Sequence, residues 1–207
     1  MNIADKLSLC RVVYAPVFVC LYLFFTAQNN LSGLIVLLIT LCLAELTDYF
    51  DGFAARKLNQ VSDFGKLIDP FCDTILQLSI FFCFAVALKI HFAFFLLLMY
   101  REFGMLFTRM LCIKNGVAVA ARMGGKIKTV LLITTCFFIL IVDIYVLYRH
   151  TQDWYLNDGS NMIYFRSALM EKIKFILCVL CVVASYISFI DYLIHFKITI
   201  KKNNRNG

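Results

Sequence analysis

The sequence predicts an all-α polytopic membrane protein with six transmembrane helices, organised as one domain over residues 1–207. Three observations lead there. Hydrophobic residues make up 62% of the chain, against about 45–50% in a typical soluble domain, and mean hydropathy is +0.82. The apolar residues fall in long runs separated by short polar segments, the pattern of repeated membrane crossings rather than one large core. Lys and Arg gather on alternate connecting segments, as the positive-inside rule requires.

The runs lie at roughly 12–27, 31–50, 70–89, 91–112, 127–148 and 173–196. The first follows Lys6 and Arg11, the outline of a signal peptide, but Phe25-Thr26-Ala27 lacks a small residue three positions back, so it is read as retained. Segments 12–27 and 31–47 are short, and a crossing of about 20 residues must borrow from their flanks. The third run opens on Pro70, which suits a helix's first turn. The fourth carries Arg101, Glu102 and Arg109 inside an otherwise apolar stretch. The fifth is approached through Gly124-Gly125-Lys126-Ile127-Lys128-Thr129. Between the fifth and sixth lies segment 149–170, whose Trp154 and tyrosines suit a membrane interface.

With the N-terminus in the cytosol, that side receives Lys6, Arg11, Arg56, Lys57, Lys66, Lys114, Arg122, Lys126, Lys128, Lys197, Lys201, Lys202 and Arg205. The other side receives only Lys89, Arg149, Arg166, Lys172 and Lys174. The asymmetry puts both termini inside and makes the number of spans even. The net charge of +7 is therefore spread over membrane-flanking loops, a distribution that suits anionic membrane lipids and disfavours nucleic acid as a partner. Nine cysteines stand singly, mostly within apolar runs, as small packing residues rather than a disulfide framework.

Chemistry is concentrated in Asp48-Tyr49-Phe50-Asp51-Gly52-Phe53-Ala54-Ala55-Arg56, followed by Gly65, Asp69 and Asp73. If the second span stays helical through Arg56, Asp48 and Asp51 are separated by about 60° around it, and Asp69 and Asp73 by about 40° on the next. Each pair lies where an apolar run meets a basic loop. Carboxylates are costly beside hydrocarbon, so four of them there suggest a divalent-cation site. Hard oxygen donors without paired His or Cys favour Mg²⁺ or Mn²⁺ over zinc. Two such ions can hold a diphosphate and stabilise a leaving phosphate, while a remaining carboxylate accepts a proton from an attacking alcohol. Plainer readings exist for single residues. Gly52 and Ala55 alone fit tight helix packing, Arg56 an interfacial anchor, and Asp69 an N-cap before Pro70, with Gly65 a bend in the loop. An N-cap does not account for Asp73.

Together Asp48, Asp51, Gly52, Ala55, Arg56, Gly65, Asp69 and Asp73 match every fixed position of a motif that resembles, throughout, that of the CDP-alcohol phosphatidyltransferases. The resemblance implies six transmembrane helices, a homodimer, and displacement of CMP from a CDP-linked lipid by an alcohol. Carried over by position, it implies that Asp48, Asp51, Asp69 and Asp73 hold two metal ions. Gly52, Ala55, Arg56 and Gly65 would face the cytidine diphosphate, and Asp73 would be the general base.

The acceptor is sought in Arg101, Arg109, Lys126 and Lys128. Arg101 and Arg109 are eight residues apart, a little over two helical turns, so they can share a face. With Lys126 and Lys128 they make a candidate pocket for an acceptor phosphate. The alternatives are an Arg101 pair with Glu102 or Glu45, and lysines that obey the positive-inside rule. The Arg-Glu pair in the fourth span, Gly-Lys-x-Lys-Thr before the fifth, and Asn2-Ile3, Ser8, Arg11 and Pro16 resemble the bacterial phosphatidylglycerophosphate synthases. That resemblance, over about residues 1–135, implies CDP-diacylglycerol as donor, sn-glycerol 3-phosphate as acceptor and the bacterial inner membrane as location. Ala4-Asp5 stands where those enzymes carry Pro-Asn, and Thr74 where they carry Lys. Competing readings are the same chemistry with phosphatidylglycerol, serine or an inositol phosphate, a divalent-cation transporter, and an idle scaffold. A transporter explains the acids but not Gly52, Ala55 and Arg56 at their spacing.

Overall fold

A computed structural model of the chain describes residues 3–57, 65–114, 123–156 and 161–206, with side-chain surroundings over 10–46, 68, 70–112, 125–149 and 168–199. The described residues form six α-helices in order: α1 (Ile3–Ala27), α2 (Leu31–Lys57), α3 (Gly65–Val86), α4 (Phe92–Lys114), α5 (Met123–Leu156) and α6 (Asn161–Asn206). They close into a ring in which α1 packs on α2, α2 on α5, α5 on α6, α6 on α4, α4 on α3 and α3 on α1. Among the described residues α2 and α3 do not touch, and α1 and α5 each touch both. Among the described residues the two helices that carry the acidic motif are bridged by α1 and α5.

Each helix buries one stripe and shows an equally apolar face outward. On α1, Arg11, Ala15, Phe18 and Tyr22 recur at helical spacing and are buried, whereas Val13, Val17, Leu21 and Phe24 are exposed. The same holds on α2, where Leu34, Leu37 and Leu41 face inward and Ile35, Val36, Ile39 and Leu43 face out. A surface this apolar all round belongs in hydrocarbon rather than water. Cys10–Ala27, Gly125–Arg149 and Ala168–Thr199 are each long and apolar enough to cross a membrane, and Leu31–Leu46 and Pro70–Val86 are shorter apolar helices. Six of the cysteines (Cys72, Cys83, Cys112, Cys136, Cys178 and Cys181) are buried packing residues.

The helices outrun the apolar runs that predict them. Helix α6 has 46 residues, so it measures about 69 Å against about 30 Å of hydrocarbon. Helix α5 continues to Leu156, so most of segment 149–170 is the end of one helix and the start of the next. Helix α3 likewise begins at Gly65 rather than Pro70. Asp69 is therefore inside the helix and is not its N-cap, and Gly65 is itself helical rather than a loop bend. Hydropathy reports depth in lipid, whereas helix ends follow backbone hydrogen bonding, so the two need not coincide.

Two tight turns lie at the end of the ring away from the motif. After α1 the chain turns at Asn29, with φ 50°, and the Asn30 carboxamide oxygen caps α2 by accepting the Gly33 N–H at 3.0 Å. A Cβ at Gly33 would run into the Phe25 ring, which would have to move to admit it. After α3 the Lys89 N–H reaches back to the Phe84 carbonyl at 2.8 Å, and Leu88 takes φ 57°, the position in which helices usually place glycine.

Candidate active site

Unbroken helix through Lys57 puts Asp48, Asp51, Gly52, Ala55 and Arg56 on α2, and Gly65, Asp69 and Asp73 on α3. The helical spacing on which the acidic pairs depend is therefore present in the backbone. The side chains of Asp48, Asp51, Gly52, Ala55, Arg56, Gly65 and Asp69 lie outside the described residues. Asp73 is described. Its carboxylate is partly exposed, and Oδ1 accepts a hydrogen bond from Arg11 Nη1 at 2.5 Å. A bond between a guanidinium and a carboxylate is among the stronger kinds, because both groups are charged.

Arg11 is the neighbour of Asp73 that the sequence did not single out. It counted there only as a topological charge and as part of the opening segment. It comes from α1, 62 positions from its partner, and no helical period links residues that far apart. The arginine itself is buried.

Thr74, where the resembling enzymes carry Lys, is buried and turns its hydroxyl back to the Pro70 carbonyl at 2.8 Å. It helps line an apolar groove of about 290 Å³ between α3 and α4, with Phe71, Ile75, Leu78, Phe82 and Phe95. Phe71 and Asp73 are two residues apart, about 200° around the helix, so the groove opens on the side of α3 away from the aspartate.

A second polar cluster joins α4, α5 and α6. Glu102 is buried and accepts Arg101 Nη1 at 2.8 Å, while Lys128 Nζ forms an ion pair with the same carboxylate oxygen. Arg101 Nε donates to the Ser185 carbonyl at 2.9 Å, tying α4 to α6. Arg109 lies within electrostatic range of Lys128 and of Tyr192. Arg101 and Lys128 are thus brought together, with Arg109 near by, and Arg101 pairs with Glu102. Lys126 is exposed and does not join them; two residues rotate a helix by about 200°, which separates it from Lys128. Among the described residues the cluster sets two cations, Arg101 and Lys128, against the one carboxylate of Glu102.

At the far end of the ring Asp143 is buried on α5. It accepts the Tyr22 hydroxyl at 2.9 Å and pairs with Lys89 at 3.2 Å. This carboxylate joins α1, α5 and the α3–α4 turn.

An all-helical ring with an apolar exterior and an acidic motif at one end defines a membrane-embedded transferase candidate. The family model for CDP-alcohol phosphatidyltransferase matches residues 1–159, and the chain belongs to that family. The match extends past the region in which the sequence resemblance was legible. Similar proteins include CDP-diacylglycerol--glycerol-3-phosphate 3-phosphatidyltransferase of Treponema pallidum, 32% identical over 168 residues, covering 75% of this chain and 76% of the relative. The protein of that name in Bacillus subtilis is 33% identical over 145 residues, covering 62% and 70%. That in Aquifex aeolicus is 29% identical over 147 residues, covering 70% and 79%.

Proposed function

We propose that this protein transfers the phosphatidyl group of CDP-diacylglycerol to sn-glycerol 3-phosphate, releasing CMP and leaving phosphatidylglycerol phosphate in the membrane. The observation that carries the reading is the eight-position motif, complete and borne on continuous helix in α2 and α3. The acceptor is supported by the two cations, Arg101 and Lys128, gathered at Glu102, and by three relatives named for that acceptor. The working form is a homodimer in a bacterial inner membrane, with six crossings in one domain and the motif end facing the cytosol.

Four carboxylates are a donor set that fits Mg²⁺ or Mn²⁺. Asp48, Asp51, Asp69 and Asp73 would hold two such ions, which when bound supply charge stabilisation at the diphosphate. The remaining work belongs to the chain. Gly52 and Ala55 leave room for the cytidine diphosphate beside α2, Gly65 allows close backbone approach, and Arg56 binds a phosphate oxygen. Lys128, Arg101 and Arg109, with Lys126 at the approach, attract and orient the acceptor's phosphate. Asp73 takes the proton from the sn-1 hydroxyl, whose oxygen forms a bond to the lipid-linked phosphorus. The bond from that phosphorus to the CMP oxygen breaks, and CMP leaves with the electron pair.

Purified protein given labelled CDP-diacylglycerol and one acceptor at a time tests the reading. CMP release with glycerol 3-phosphate, and not with phosphatidylglycerol, serine or inositol phosphate, is the expected result. Release with another member of the panel instead would reassign the acceptor, and metal flux without CMP would replace the enzyme by a transporter.

A further inference from the structure

We infer that Arg11 is a positioning residue for the transfer: from α1 it holds the Asp73 carboxylate of α3 in its working orientation. The inference rests on the reading of Asp73 as the base. Arg11 is buried, its Nη1 lies 2.5 Å from Asp73 Oδ1, and the aspartate remains partly open. An aspartate side chain rotates about two torsions, and a charge-assisted bond from a separate helix fixes a direction that α3 alone does not. Helix α1 is suited to this because it touches both helices that carry the motif.

A second pin on the same helix gives the inference a built-in control. Arg11 and Tyr22 are 11 residues apart on one buried stripe with Ala15 and Phe18, about 16 Å along the helix and within about 20° around it. Tyr22 ties α1 to Asp143 of α5 at 2.9 Å, at the end away from the motif. Both residues anchor α1, but only Arg11 touches the proposed base. Removing either loosens the helix, and only one removal should disturb the chemistry.

The test is steady-state CMP release by Arg11→Ala, Arg11→Lys, Tyr22→Phe and Asp73→Asn enzymes, with both substrates and the divalent cation varied to saturation. Misplacing a catalytic group by about 1 Å can cost about 100-fold, so Arg11→Ala should lose about that much kcat with both KM values little changed. Arg11→Lys keeps the charge without the planar fork and should recover part of the loss. Guanidinium added to Arg11→Ala should restore turnover, and Tyr22→Phe should keep the wild-type kcat. Wild-type kcat in Arg11→Ala overturns the inference. So does an equal kcat loss in Tyr22→Phe, which would make Arg11 a helix anchor. A raised KM for one substrate at unchanged kcat would make it a substrate contact instead. If Asp73→Asn turns over normally, the reading of the base fails; if that variant is dead while Arg11→Ala is normal, only the present inference fails.

Discussion

The two ends of the helical ring solve the same problem, a buried carboxylate, in opposite ways. At the turn end Asp143 meets the Tyr22 hydroxyl and the Lys89 ammonium, one anion with one cation. At the motif end Glu102 meets both Arg101 and Lys128, with Arg109 within electrostatic range. The first cluster is balanced, and its natural role is to tie three parts of the chain together. Among the described residues the second sets two cations against one carboxylate, an arrangement that suits the proposed anionic acceptor. On the proposed reading, the first cluster is a fastener and the second a receptor, distinguished by charge balance among the described residues rather than by burial alone.

The largest expected effect is at the motif. General-base catalysis contributes about 10²–10⁴-fold, so Asp73→Asn should cut CMP release by at least the lower figure while the solubilised protein keeps its elution profile. Next comes the unbalanced cluster. Lys128→Met should raise the KM for glycerol 3-phosphate about tenfold, equivalent to about 1.4 kcal/mol, with little change in the KM for CDP-diacylglycerol. Lys126→Ala, at an exposed position, should have a smaller effect in the same assay. An equal effect on the two substrates for Lys128→Met would break the distinction between receptor and fastener.

Asp143→Asn should show the opposite pattern. Breaking a buried ion pair costs about 3–5 kcal/mol, but the Lys89 side chain is 30% exposed, so solvent screening brings the loss below that range. A lower Tm is expected, with normal KM values for the protein that remains folded. The smallest effect is at the α3–α4 turn. Leucine in the left-handed region costs about 1–2 kcal/mol, so Leu88→Gly should raise Tm slightly and leave turnover alone.

Apolar runs made the six helices legible because hydrocarbon demands a hydrophobic exterior, and that demand is written residue by residue. Helix ends were not legible in the same way. At the start of α3 Lys66 and Asp69 interrupt the apolar run, and the far ends of α5 and α6 are rich in polar residues, so hydropathy does not register them. The acidic motif could be read because its members are local and keep helical spacing. Arg11 could not be tied to it, since the bond to Asp73 depends on how α1 packs on α3. The pairing of Arg101 with Glu102 was one of the alternatives available from sequence. The divergence of Lys126 and Lys128 needed the start of α5 to be known, because only then does their spacing become a rotation.

The most direct measurement compares glycerol 3-phosphate with unphosphorylated glycerol as acceptor for the same purified protein and labelled CDP-diacylglycerol. The proposed acceptor role of Arg101 and Lys128 predicts CMP release with the phosphate ester and almost none with glycerol at equal concentration. Equal release from both would show that the positive charge at Arg101, Glu102 and Lys128 plays no part in choosing the acceptor.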